Sequence, residues 1–220
     1  MEKAYKNTGY FMLLLIPVAA VGFYTTYFSH LSDLNESFTA ITHSSVTIFH
    51  HIHASLATLW ILLLISQPLF IRYRRFKIHK AIGKISYFVF PLLILSFIPL
   101  IIIILESNYS IRAYNPIADA TLLILFYSLA VYNRKNMPRH MRYMIGTATV
   151  FFSPSVARIG KFIIGWQPKI SINFLVFGTV YLILTGLILL DRKHGKNFRP
   201  YILMLVVWII NQIVFNILIL

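Results

Sequence analysis

Seven apolar runs divide the chain, at 10–28, 46–71, 82–105, 117–133, 140–164, 170–190 and 201–220. Each is close to the roughly 20 residues that cross a hydrocarbon core of about 30 Å at 1.5 Å per residue, the fourth being the shortest. None alternates with period two, and a spanning segment must pair its own backbone polar groups in lipid, so the pattern predicts helices and not barrel strands. The expected fold is all-α, a polytopic membrane protein whose single domain, 1–220, is a seven-helix transmembrane bundle. The loops are short, the longest being 29–45, and no linker or low-complexity tract separates a second domain. A basic start and the small-residue stretch 18–22 would also suit a cleaved signal; we read the segment as the first helix.

Composition points the same way. Apolar residues make up 58% of the chain and charged residues 12%, against roughly 45–50% and 25% in an ordinary soluble domain. With a mean hydropathy of +0.75, the apolar excess is too large for one buried core and has to face lipid. There is no cysteine, which removes disulfides, thiolate haem ligation, iron–sulfur clusters and a Cys nucleophile. Any metal would rest on His and carboxylate.

The net charge of +14 would suggest nucleic acid in a soluble protein, but these charges lie between apolar runs and no nucleic-acid-binding motif accompanies them. We therefore expect no nucleic-acid partner. With the N-terminus cytoplasmic, sixteen of the 20 Lys and Arg fall on inside segments. The outside keeps Arg112, Arg158, Lys161 and Lys169 together with Asp33, Glu36 and Glu106. This bias predicts N-terminus in and C-terminus out, in the cell inner membrane, with the basic face attracting anionic lipid head groups of the bilayer.

The same topology sorts eight histidines into two layers. His30, His43, His50, His51 and His53 fall at the outer end, and His79, His140 and His194 at the inner. His50 and His53 share a helical face that continues through Ala57, Trp60, Leu64 and Gln67, which predicts the packed polar seam of the second helix. Asp119 opens the fourth helix. Arg158, 18 residues into the fifth, rises roughly 27 Å from its start and should reach a similar outer depth. Two readings stand. The imidazoles could bond water and loop carbonyls while Asp119 and Arg158 form a structural ion pair. Alternatively His50, His53 and Asp119 converge as two imidazoles and a carboxylate, a set that suits zinc or non-haem iron with water in an open position.

Haem needs axial ligands on both sides of the ring, usually from two helices. His79 and His140 open the third and fifth helices and could face one another as a haem b pair, or serve as head-group contacts. The tryptophans divide between interfacial anchors and packing. Ser153-Pro154-Ser155 predicts a kink, with Ser155 a remote nucleophile. Asn211, Gln212 and Asn216 should hydrogen-bond across helices. A weak internal echo relates His79, Gly83 and Pro91 to His140, Gly146 and Pro154, with spacings that differ by two residues.

His53 followed by Gln67, then Arg74, His79 and Gly83 (His-Lys-Ala-Ile-Gly-Lys), and later His140-Met-Arg-Tyr-Met-Ile with Arg158, resemble a family. It is that of bacterial multi-pass proteins grouped as predicted membrane proteins of unknown function. The family shows a His, a Gln, a His-Arg-x-x-Gly step, then His-Arg-x-Trp-Met and a downstream Arg. Here Lys80 replaces the first Arg, and Met141 and Tyr143 replace the second Arg and the Trp. The resemblance covers 49–158 and implies a helical membrane protein with no agreed activity. A fainter similarity links the chain to transmembrane cytochromes b, which carry electrons between His-ligated haems; the lack of paired His on neighbouring helices counts against it.

Three functions are expected from these residues. The first is a metal- or haem-binding redox protein in which His50, His53 and Asp119, or His79 and His140, hold zinc, iron or haem b, while Arg158 balances charge and Trp60 and Gln67 line the seam. The second is a non-catalytic small-solute carrier or accessory subunit, as a homo-oligomer or with a partner chain. The third is a zinc-dependent lipid amide hydrolase with metal-bound water as nucleophile.

Overall fold

The computed structural model describes residues 2–30, 47–107, 110–165 and 169–219. His43, Asp33, Glu36 and Trp166 lie outside the described residues, as do the side chains of His30 and Lys169. Among the described residues there is no strand, and the helices group into seven rods. The first is α1 (Thr8–Met12) with α2 (Leu15–Phe23), and the second is α3 (Ile48–Arg72). The third is α4 (Phe76–Leu95) with α5 (Phe97–Leu105), followed by α6 (Tyr114–Tyr132), α7 (Met137–Arg158), α8 (Lys169–Lys193) and α9 (Arg199–Ile219).

The two breaks have a common cause. Pro17 cannot donate to the Leu13 carbonyl, nor Pro99 to that of Leu95, and each rod tightens or bends one turn before its proline. Among the described residues, five stretches are long and apolar enough to cross a membrane: Ile48–Arg72, Phe76–Leu105, Ile111–Tyr132, Asn173–Lys193 and Arg199–Leu218. The rod Thr8–Phe23 is apolar but shorter, and α7 carries Arg139, His140 and Arg142 in its first turns.

Several boundaries differ from the hydropathy pattern: the first rod ends at Phe23 and not at 28, and two starts move. The third rod begins at Phe76 and not near 82, because Lys77, His79 and Lys80 are helical residues at the polar end of α4 rather than a loop. The fourth apolar run belongs to a membrane-length stretch that begins at Ile111 and not at 117, with Pro116 tolerated in the first turn of α6. Only Tyr73, Arg74 and Arg75 separate α3 from α4. Arg74 sits at φ 58°, the Arg75 N–H donates to the Phe70 carbonyl at 2.7 Å and the Arg74 N–H to Ile71 at 3.1 Å. This is a left-handed helix stop made without glycine.

α7 is the hub, packing against α2, α3, α6, α8 and α9. Residues 145–150 of α7, Ile145 to Val150, are all buried. Its hydroxyls are accounted for: Thr147 donates to the Met144 carbonyl and Thr149 to that of Gly146, each at 2.7 Å, so small polar residues sit in the core without an unpaired group. On the outside, Phe88 is 75% exposed, Leu182 77% and Ile217 76%, an apolar surface of the kind that faces acyl chains.

Candidate functional site

The α3–α4 hairpin sets the polar groups in register. One face of α3 meets α4 and the start of α5, and three successive levels follow. At the first, His53 Nδ1 lies 2.8 Å from Ser96 Oγ and its ring 4.5 Å from that of Phe97. Because the Ser96 hydroxyl donates to the Leu93 carbonyl at 2.6 Å, the imidazole N–H is the donor to Ser96. At the second level, Trp60 packs on Phe90 and Tyr127 with centroids 5.2 Å apart in both cases, and Phe90 stacks on Tyr127 at 4.0 Å. At the third, Gln67 faces Gly83. The His53, Trp60 and Gln67 stripe is thus the contact face of α3.

The expected metal set is not assembled. Among the described residues, no three of His, Asp and Glu converge on a point that could hold a metal ion. His50 turns back to cap its own helix, its Nδ1 accepting from the Thr47 backbone N–H at 3.1 Å. His51 Nδ1 is 2.8 Å from the Tyr27 hydroxyl. Asp119 lies on α6 within electrostatic reach of Arg158 and makes no direct ion pair with it. His53 also lies within electrostatic reach of Arg158, but its Nδ1 is taken by Ser96 and that of His50 by Thr47, so the two imidazoles and the carboxylate do not meet as a ligand set. Arg158 donates instead from Nε to Thr26 Oγ1 at 3.2 Å and from Nη1 to the Pro154 carbonyl at 2.9 Å, with its guanidinium 4.1 Å from the Phe23 ring. A π-helical turn, Ile159–Ile163, begins immediately after it. Ser155 is buried, donates to the Phe151 carbonyl at 3.2 Å and lies under Gly22, which is packing and not the setting of a nucleophile.

The other polar level is different. Gln67 has both Oε1 and Nε2 buried with no hydrogen-bond partner, and His79 Nδ1 and Trp60 Nε1 share that condition. His79 lies alongside Gln67 and within electrostatic reach of His140. His140 Nδ1 is 2.8 Å from the Ala130 carbonyl; a carbonyl only accepts, so Nδ1 carries a proton, and in the neutral ring the lone pair is then on Nε2. Gln67 of α3 and His79 of α4 are thereby neighbours, and His140 of α7 lies within electrostatic reach of His79. Their spare capacity is two donors and several acceptors, with a basic rim outside.

One buried network went unread in the sequence. Arg142 and Asp191 are 1% and 0% exposed. Arg142 donates from Nε to Asp191 Oδ2 at 2.7 Å and from Nη2 to Oδ1 at 2.8 Å, while Nη2 also reaches Glu2 at 2.9 Å and Nη1 the Pro138 carbonyl at 2.9 Å. Tyr5 donates to Asp191 Oδ1 at 2.7 Å, and its ring lies 5.1 Å from the guanidinium. Burial, and after it the Asp191 carboxylate, raise the Tyr5 phenol above its ordinary value, so it remains a donor. The network ties the N-terminal turn to α7 and α8. A hint was present: on the strongly basic side of the charge pattern the only acidic residues are Glu2 and Asp191.

Helix α9 behaves as its sequence implies. Tyr114 donates to Asn211 Oδ1 at 2.6 Å, Tyr181 to Gln212 Oε1 at 2.5 Å, and Asn173 Nδ2 to Asn216 Oδ1 at 2.6 Å, all between helices. Comparison with known protein families, curated proteins and solved structures returns no match for this chain.

Proposed function

We propose that this chain is a multi-pass protein of the cell inner membrane with seven spans, N-terminus cytoplasmic and C-terminus outside. In this reading it binds a small molecule through Gln67, His79 and His140, as a carrier or accessory subunit and not as a catalyst. The observation that carries the reading is the Gln67 carboxamide, buried with neither atom paired. Leaving such a group unsatisfied away from water costs on the order of 1–3 kcal/mol, and helices in lipid keep polar side chains where they have a partner. By contrast the outer groups spend their hydrogen bonds inside the bundle, His53 on Ser96 and Arg158 on Thr26 and Pro154. The cations of the inner face, exposed as Lys77, Lys80 and Lys84 are, attract anionic lipid head groups.

Native mass spectrometry of the purified full chain tests this: the expected result is a small-molecule adduct that disappears in Gln67→Leu. Wild-type protein without an adduct, together with a Gln67→Leu variant that melts higher, would reduce the carboxamide to a packing defect. For the topology, the cysteine-free chain gives a clean background. Lys135→Cys should react with an impermeant maleimide only from the cytoplasm, and Glu106→Cys only from outside.

One observation favours a second reading. An imidazole whose Nδ1–H is held by a backbone carbonyl, as His140 is by Ala130, presents Nε2 in the manner of a metal or haem ligand. On this reading His79 and His140 are the axial pair of a haem b. Purified protein would then show a Soret band that is lost in His140→Ala and in His79→Ala; colourless protein disposes of it.

A further inference from the structure

The unpaired polar atoms of the inner level carry a chemical signature. Gln67 Oε1 and Nε2 and His79 Nδ1 include no carboxylate, ammonium or guanidinium, and the neighbouring cations Lys77, Lys80, Lys84, Arg134, Lys135 and Arg139 are all exposed. A charged group seated here would be stripped of water without a buried countercharge, a cost that a neutral group avoids. The carboxamide presents an acceptor and donors side by side, so its complement is a donor next to an acceptor.

Depth and space narrow the choice further. Gln67 lies five residues before the end of α3, and His79 and His140 lie three residues into α4 and α7, so the site is roughly 5–8 Å below the helix ends. This is the depth at which head groups give way to acyl chains. Beside Gln67, α4 carries Gly83. A Cβ placed there would have a single neighbour within 4 Å, Gln67 Oε1 at 3.5 Å. The glycine therefore leaves an open notch against the carboxamide, on a helix whose other face is exposed at Tyr87 and Phe88.

We propose that Gln67, His79, His140 and the notch at Gly83 form a site for the head of an uncharged, bilayer-borne amphiphile. That head presents a hydroxyl next to a carbonyl or a second hydroxyl. The proposal rests on the binding reading above and adds the ligand class. It is tested with three ten-carbon amphiphiles on the full chain in phosphatidylcholine nanodiscs, by isothermal titration: monodecanoylglycerol, decyl phosphate and decyltrimethylammonium. Monodecanoylglycerol should bind saturably and about tenfold tighter than either charged amphiphile. Gly83→Ala should weaken it by about tenfold with a thermal midpoint unchanged or raised, since the added methyl makes only ordinary contact with Gln67 and alanine favours the helix. Equal affinity for all three amphiphiles, or a Gly83→Ala variant that binds like wild type, overturns the proposal. Tighter binding of decyl phosphate overturns the uncharged head while leaving a binding protein. No saturable binding of any amphiphile, with a Gln67→Leu variant more heat-stable than wild type, removes both.

Discussion

Replacing Asp191 with Asn removes one charge and one acceptor from a site where the Arg142 guanidinium is 1% exposed. In the native arrangement Asp191 accepts three hydrogen bonds, two from Arg142 at 2.7 and 2.8 Å and one from Tyr5 at 2.7 Å. The amide keeps one oxygen, and its NH2 then faces a donor. Breaking a buried pair from one side costs about 3–5 kcal/mol, because the remaining charge stays buried. Glu2 still holds Nη2 at 2.9 Å and takes part of that charge, so the expected loss lies near the lower end, about 3 kcal/mol. Glu2→Gln alone should cost under about 1 kcal/mol, because Glu2 is partly exposed, at 18%, and screened.

The decisive variant removes both charges. Arg142→Met with Asp191→Leu and Tyr5→Phe leaves no buried ion and no orphaned phenol, and a well-packed apolar set of this kind restores most of the loss, to within about 1–2 kcal/mol of wild type. The assay is reversible unfolding in mixed micelles, with the folded fraction read by circular dichroism. Two results would refute the reasoning. One is an Asp191→Asn variant within about 1 kcal/mol of wild type, and the other is a triple variant no more stable than the single.

Three smaller outcomes rest on the same packing. Gly22→Ala should cost about 1–3 kcal/mol, since a Cβ there meets the Ser155 carbonyl oxygen at 2.7 Å and its Cα at 2.8 Å, backbone atoms that cannot turn aside; Gly178→Ala, which meets nothing within 4 Å, should be neutral or stabilising in the same melt. Arg74→Gly should stabilise by about 1 kcal/mol, because the αL conformation at φ 58° penalises a side chain that glycine lacks; an unchanged or lower melting temperature contradicts it. Tyr5 has a phenol raised above its ordinary 10.0, so its contribution is intact below about pH 10. It is lost as the pH climbs further, because the unfolded chain releases that proton first. Tyr5→Phe should therefore flatten the alkaline limb of a stability profile without altering its shape below pH 9 or so.

How far the sequence could be read depends on what kind of information each feature uses. The α3 stripe is local: residues 53, 60 and 67 recur at helical spacing, and they meet α4 and α5 through Ser96, Phe90 and Gly83. The pairing of Asp119 with Arg158 rests on depth, the count of rises along two helices. Depth fixes one coordinate and leaves rotation about each axis free, and the structure brings the two within each other's field without contact. Arg142 and Asp191 are 49 residues apart, and Asp191 falls one residue past the apolar run that ends at 190. A charge-counting rule assigns both to the basic loops, and no local pattern distinguishes a loop charge from one that the N-terminal turn folds over.

The same limit explains why α7, the most connected helix, is not among the stretches apolar enough to stand out. A helix surrounded by α2, α3, α6, α8 and α9 has little surface left for lipid, so it needs small residues that allow close approach more than it needs greasy ones. Gly146, Thr147, Ala148 and Thr149 serve that need, with Trp208 of α9 donating to Thr149 Oγ1 at 3.2 Å. Hydropathy measures how much of a helix faces acyl chains. In a bundle the peripheral helices therefore stand out most strongly, while the central one, still visible as the run 140–164, falls short of them, and the polar chemistry collects there: Arg142, His140 and Arg158 all belong to α7.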